Sequence, residues 1–178
     1  MPKVLLPLAD GFEDIEAVTI IDVLRRAGIE VETAGLKGSI VTSKCGIRMH
    51  VESRIVDMET LKHDGIIIPG GKDAVETLMK SERMKTIVRL LADNGKMISA
   101  ICMGPLLLAK LGILDDKRAT IYPGLEKNLD RPRGDKVVVD GNIITSQGPG
   151  TAIDFSLAIV QHLLGKPTAT KIKKHIVA

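Results

Sequence analysis

The sequence predicts one α/β domain, a doubly wound, mainly parallel sheet with helices on both faces. Three observations carry this. Short, mostly apolar runs recur at Val4–Leu8, Gly65–Pro69 and Lys96–Ile101, the pattern of strands buried on both faces. Stretches of helical period lie between them and stop at Gly28, Asn94-Gly95 and Gly112. No repeat, low-complexity tract or linker divides the 178 residues, so residues 1–178 read as a single domain.

Taken in order, Val4–Leu8 is the first strand, broken by Asp10-Gly11, and residues 13–27 form a helix ended by Gly28. Asp10 and Glu13 have the spacing of a helix cap. Glu30–Ala34 alternates as a second strand, and residues 39–51, with Gly46 in the middle, read as a hairpin or edge excursion. Gly65–Pro69 is a buried strand closed by Gly70-Gly71. Residues 73–80 and 82–93 are helical, Lys96–Ile101 is a fourth strand, and a helix follows from about Met103 to Leu111. Thr120–Tyr122 is expected to be a short strand. Val137–Val139 and Ile143–Thr145 flank Asp140-Gly141-Asn142 as a hairpin. Thr151–Leu164 is the last long helix, with Thr151 and Asp154 in capping-box spacing.

Composition excludes several classes. Phe12, Tyr122 and Phe155 are the only aromatics, too few for base stacking on single-stranded nucleic acid. The formal net charge is +3, and the only basic cluster is Lys171, Lys173 and Lys174. The longest apolar stretch, Ile98–Ala109, is short and broken by Ser99, Gly104 and Pro105, so no membrane span is expected. The N-terminus lacks the pattern of a signal peptide. Cys45 and Cys102, the two cysteines, read as free thiols of a reducing cytoplasm. Neither CxxC nor HExxH occurs, and no nucleotide-phosphate loop, so no metal or other cofactor is expected.

In open α/β sheets, ligands sit beyond the carboxyl ends of the strands. Three loops meet that description, after Leu8, Pro69 and Ile101. The last reads Ala100-Ile101-Cys102-Met103-Gly104, a nucleophile elbow with Cys in the place of Ser. An elbow puts the thiol at a helix N-terminus, where amides and the helix dipole are expected to lower its pKa below about 8.5. On a helical wheel Glu16 shares a face with Ile20, Val23 and Ala27. A carboxyl on that stripe is desolvated, its pKa rises toward neutrality, and it can shuttle a proton. The first-turn preference for acids would also place it there. Gly70-Gly71 suits either close-approaching oxyanion donors or a plain β-to-α turn. Tyr122 is a pocket candidate or a half-buried strand residue. None of His50, His63, His162 and His175 falls in these loops, and Cys45 is assigned to packing or a dimer surface.

These residues resemble the DJ/ThiJ/PfpI superfamily, in the branch of the Parkinsonism-associated protein deglycase and its bacterial relatives. The resemblance spans nearly the whole chain. It is carried by Asp10-Gly-Phe-Glu-Asp-Ile-Glu16, Asp22-Val-Leu-Arg-Arg-Ala-Gly28, Pro69-Gly70-Gly71, Ala100-Ile-Cys102-Met-Gly104-Pro105, and Ser146-Gln-Gly-Pro-Gly-Thr151 with Ala152–Phe155. It implies a flavodoxin-like sandwich, a homodimer, and a reactive, oxidisable Cys102 hydrogen-bonded by Glu16. The amides of Gly70, Gly71 and Met103 match oxyanion-type donors. A protonated Glu16 would also stabilise a sulfinate on Cys102.

The implied activity is a cofactor-independent glyoxalase or protein deglycase. Its substrates are methylglyoxal, glyoxal or their early glycation adducts, with Cys102 as nucleophile and Glu16 as acid/base. The alternatives are a redox-sensing stress-response dimer and an intracellular cysteine peptidase or amidase. Two positions depart from family patterns. Met103 stands where the protease-like branch has His, which removes the peptidase base. Tyr122 stands where many deglycase-branch members have His, and a phenol is a poor base at neutral pH.

Overall fold

The apolar run after Lys3 is an interior strand of a seven-stranded sheet in the computed structural model, which describes residues 1–178. The first half of the chain contains β1 (Lys3–Leu8), α1 (Asp14–Arg26), β2 (Glu30–Gly35), β3 (Ile40–Thr42), β4 (Arg48–His50), β5 (Ser53–Arg54), β6 (Gly65–Ile68), α2 (Lys72–Lys80) and α3 (Glu82–Asp93). The second half contains β7 (Met97–Ile101), α4 (Pro105–Lys110), β8 (Arg118–Ala119), β9 (Arg131–Pro132), β10 (Val137–Asp140), β11 (Ile143–Ser146), α5 (Ala152–Leu164) and α6 (Lys166–His175). The sheet order is β10-β11-β7-β6-β1-β2-β5, and every pairing is parallel except β10 with β11. Helices α1, α5 and α6 pack together on one face, and α2, α3 and α4 on the other. This is the doubly wound arrangement expected from the pattern. No helix is long and apolar enough to cross a membrane.

The reasons are local. Strands β6 and β7 are buried at every residue, so both faces carry apolar side chains, and the one polar exception, Ser99, donates to Ile66 O at 2.9 Å. Helix α1 has acids in its first turn and Arg25 and Arg26 in its last, matching the helix dipole. Gly28, at φ +82°, ends it: Gly28 N–H donates to Arg25 O and Ile29 N–H to Leu24 O, both at 3.0 Å. The same pair of bonds closes α3 at Gly95 and α4 at Gly112.

Four local expectations are corrected. Residues 120–122 are not a strand, and the pairing lies at Arg118–Ala119 with Arg131–Pro132. Thr120 N–H is taken by the Thr145 hydroxyl and Tyr122 N–H by Cys102 O, both at 2.9 Å, so no ladder forms there. Thr151 and Asp154 make no capping box on α5. The Thr151 hydroxyl lies 2.6 Å from Ser146 Oγ and accepts the Gly148 N–H at 3.1 Å, which folds the loop after β11. Asp10 does not cap α1; its Oδ1 accepts Thr42 N–H at 2.9 Å, tying the hairpin β3–β4 to the loop after β1. Finally, Thr151–Leu164 is not the last helix. Gly165 turns the chain at φ +86° and α6 follows, with Pro167 in the first turn, where a missing N–H costs nothing. Only Ala169 and Ile172 of α6 are buried, too few to show a periodic apolar stripe in the sequence.

Candidate active site

Strands β1, β6 and β7 are neighbours in the sheet, so the loops after Leu8, Ile68 and Ile101 open side by side at their carboxyl ends. Cys102 follows β7 directly and has φ +64°. That left-handed conformation is unfavourable for a residue with a side chain and is the mark of a nucleophile elbow. Its N–H donates to Ser146 O at 3.0 Å and its carbonyl accepts Tyr122 N–H, so neighbouring loops hold the strained residue in place. A Cβ on Gly104 would lie 2.5 Å from Ile68 O, so the turn after the cysteine has room only for glycine.

Glu16 points inward from the first turn of α1 and is fully buried, as the helical wheel indicated. Its Oε2 accepts Gly70 N–H at 2.6 Å, while Oε1 has no nitrogen or oxygen partner. The Cys102 thiol is the polar group beside the carboxyl. A Cβ placed on Gly70 would lie 2.7 Å from Glu16 Oε2 and 2.9 Å from Cys102 Sγ, so one missing methyl group is the space in which acid and thiol meet. Burial pushes the Glu16 carboxyl up to about 7, against the Gly70 N–H and the thiol, which pull it down.

The thiol departs from its expected behaviour. Burial first, and then the charge on Glu16, push Cys102 up to about 12, while the amides of Met103 and Gly71 pull the other way. The expected lowering by a helix N-terminus is overridden for two reasons. Helix α4 begins only at Pro105 and runs six residues, so its dipole is small. A buried carboxylate adjacent to a forming thiolate is a like-charge contact. The two groups therefore share one negative charge, and the thiolate exists when the proton sits on Glu16. Gly70 is also corrected as an oxyanion donor, because its N–H is committed to Glu16. The amides of Gly71 and Met103 remain, close enough to act on the sulfur.

Cys102, Met103, Gly71 and Tyr122 line a cavity of about 260 Å³. Tyr122 is 47% exposed and sits in a loop, its ring edge 3.5 Å from where a Gly148 Cβ would be. Glu16 and Gly70 form the layer beneath. The cavity also takes in Glu13, Lys44, Lys72, Asp73 and Pro149, none of which stood out as a site residue in the sequence. Pro149 lies within the Ser146–Thr151 motif, which was the signal available for it. Lys44 comes from the turn between β3 and β4 and had none. No histidine lines the cavity: His63 is buried against Glu32 at 3.0 Å, and His162 and His175 are exposed on α5 and α6. Cys45 is exposed in the hairpin turn. No three His, Cys, Asp or Glu side chains converge as metal ligands would. A larger concavity, about 530 Å³, opens at the amino-terminal edge of the sheet. Its charges are tied up in ion pairs, Lys3 with Glu32 at 2.7 Å and Arg25 with Glu52 at 2.6 Å, and no nucleophile faces it.

The chain is similar to known proteins in sequence and in fold. The profile of the DJ-1/PfpI family matches residues 2–162. A DJ-1 homolog B of Arabidopsis thaliana is 37% identical over 180 residues, 98% of this chain but 41% of that protein, so the chain spans under half of that relative. A Pyrococcus abyssi protein named a deglycase is 33% identical over 152 residues, covering 83% of this chain and 91% of its own. The solved structure of oxidised DJ-1 from Toxoplasma gondii superposes with a TM-score of 0.96 at 35% identity, over 99% of this chain and 98% of its own.

Proposed function

The chain belongs to the DJ-1/PfpI family, and from that premise we propose that it is a cofactor-independent glyoxalase and deglycase acting on methylglyoxal, glyoxal or their early adducts. The observation that carries the reading is the meeting of a buried Glu16 and an elbow Cys102 across Gly70, at the floor of a cavity sized for a small carbonyl compound. A Pyrococcus relative named a deglycase supports it.

In this reading Glu16 takes the thiol proton, and the Cys102 thiolate adds to the aldehyde carbon. Glu16 returns that proton to the oxygen, giving a hemithioacetal. The Glu16 carboxylate then removes the proton from the former aldehyde carbon and delivers it to the neighbouring carbon, while the hydroxyl proton passes from the first oxygen to the neighbouring carbonyl oxygen. The result is a thioester, which water cleaves to lactate, or to glycolate from glyoxal, restoring the thiol. The amides of Gly71 and Met103 face the oxygen on which charge develops. No external oxidant or reductant enters, because one carbon is oxidised as its neighbour is reduced. The wild type is expected to form lactate from methylglyoxal and Cys102→Ser to form none. Equal turnover by the two would refute the mechanism.

A second reading, redox sensing, draws on the unpartnered Glu16 Oε1. Protonated, it would donate to a sulfinate oxygen on Cys102. In the same experiment, a stable Cys102 sulfinate after mild peroxide, with no lactate formed, would favour this reading. Peptidase chemistry has no histidine base at this cavity. We also propose a homodimer. Ile15 and Val18 on α1 and Ile47 in the adjoining hairpin are more than half exposed, an apolar surface that a second copy would cover. Sedimentation velocity is expected to give twice the chain mass for the wild type and a single chain for Val18→Asp.

A further inference from the structure

Lys44 is fixed over the cavity by its backbone. Its N–H donates to Phe12 O at 2.9 Å, and Gly11 N–H donates to Thr42 O at 2.8 Å, which clamps the hairpin onto the loop between β1 and α1. Its Nζ lies 3.3 Å from Glu13 Oε2. The Glu13 side chain is only 12% exposed, that of Lys44 is 62% exposed, and Lys44 is the only ion-pair partner Glu13 has. Glu13 is coupled in turn to the reactive pair: its N–H donates to Gly70 O at 3.1 Å, and the Gly70 N–H is the one that holds Glu16.

The other charges at the cavity do not replace Lys44. On α1, Asp14 turns toward the hairpin and accepts Cys45 N–H at 3.2 Å. On α2, Lys72 and Asp73 are exposed neighbours of opposite sign. Tyr122 brings a phenol hydroxyl to the cavity rather than a cationic group. Without Lys44, the wall of the cavity would hold an unpaired carboxylate next to two groups that must share a further negative charge.

We propose that Lys44 is a positioning residue for this site, cancelling the charge of Glu13 and so allowing the Cys102–Glu16 pair to reach the thiolate state. The inference rests on Cys102 and Glu16 being the reactive pair. Two electrostatic couplings bear on this: Lys44 lowers and Glu13 raises the protonation tendency of Glu16, so the lysine favours a negative charge on the pair, and its attraction to charge on Cys102 favours the form in which that charge is the thiolate. Because the lysine is mostly in solvent, the effect is moderate.

The test is the pH dependence of Cys102 alkylation by iodoacetamide, in the full chain carrying Cys45→Ser so that one thiol is read. Lys44→Met is expected to slow alkylation about threefold to tenfold at neutral pH and to move the profile to higher pH. Lys44→Arg is expected to match the Cys45→Ser background. Adding Glu13→Gln to Lys44→Met is expected to restore the rate, since the unpaired charge is then gone. A Lys44→Met profile that superimposes on the background would overturn the proposal. So would a double variant as slow as Lys44→Met, or an arginine variant that behaves like methionine. The readout does not depend on turnover, so a protein that forms no lactate but shows these shifts would lose the glyoxalase reading and keep this one.

Discussion

Glu16→Gln is expected to abolish lactate formation while making Cys102 alkylate faster. The two effects separate because the carboxyl has two roles. As the group that moves protons between thiol, oxygen and carbon it is essential, and its loss is expected to lower turnover by about 10²–10⁴-fold. As a buried charge beside Cys102 it opposes the thiolate. A neutral amide removes that opposition, keeps an acceptor for Gly70 N–H, and should raise alkylation at neutral pH about tenfold. Stability supplies an independent check. The carboxyl rises from 4.5 to about 7 on folding, so folding favours its protonated form. Its contribution is fully present below the unfolded value and is lost as pH rises through the folded one. Thermal melts of wild type and Glu16→Gln are therefore expected to diverge in favour of the variant between about pH 5 and about pH 8. Undiminished lactate formation by the variant would remove Glu16 from the mechanism. Slower alkylation would show that the carboxylate promotes the thiolate at rest.

The second large effect is steric. Gly70→Ala puts a methyl group 2.6 Å from Cys102 Cβ, 2.7 Å from Glu16 Oε2 and 2.9 Å from Cys102 Sγ. None of these atoms is the end of a side chain free to swing into solvent: Glu16 is fully buried and Cys102 is 6% exposed in a strained turn. Overpacking of this kind costs about 1–3 kcal/mol, or a melting point lower by about 2–12 °C at this chain length. The catalytic cost is expected to be larger, about 10²-fold or more, because acid and thiol are forced apart by an ångström or so. Gly134→Ala, in open space, is the control and should change neither quantity. A Gly70→Ala variant with wild-type melting and turnover would show that the pair tolerates separation.

Both predictions depend on how the site is assembled, and the sequence revealed that only in part. The wheel of α1 placed Glu16 on the buried stripe, since helical period and apolar spacing are local properties. The elbow at Ala100–Gly104 was equally readable, since a sharp turn after a strand needs small residues at fixed offsets. Lys44 was not readable. It enters the cavity because Asp10 and Phe12 bind the hairpin, and nothing within residues 39–51 records where the hairpin lands. Thr151 shows the same limit, because its hydroxyl had two possible partners and only the position of Ser146 decided between them.

By itself, then, the sequence determined the alternation of buried strands and amphipathic helices, the glycine stops at Gly28, Gly95 and Gly112, and which acid and which thiol face inward. Each of these follows from spacing along the chain. The tertiary structure alone decided the upward shift of the Cys102 thiol, the diversion of the Gly70 amide from oxyanion binding to Glu16, and the placement of Tyr122 in an exposed loop. Those depend on desolvation and on distances of a few ångströms between residues far apart in sequence. Glu16 comes from the first turn of α1 and Gly70 and Cys102 from the loops after β6 and β7, and their chemistry appears only when the order of β1, β6 and β7 brings these segments together.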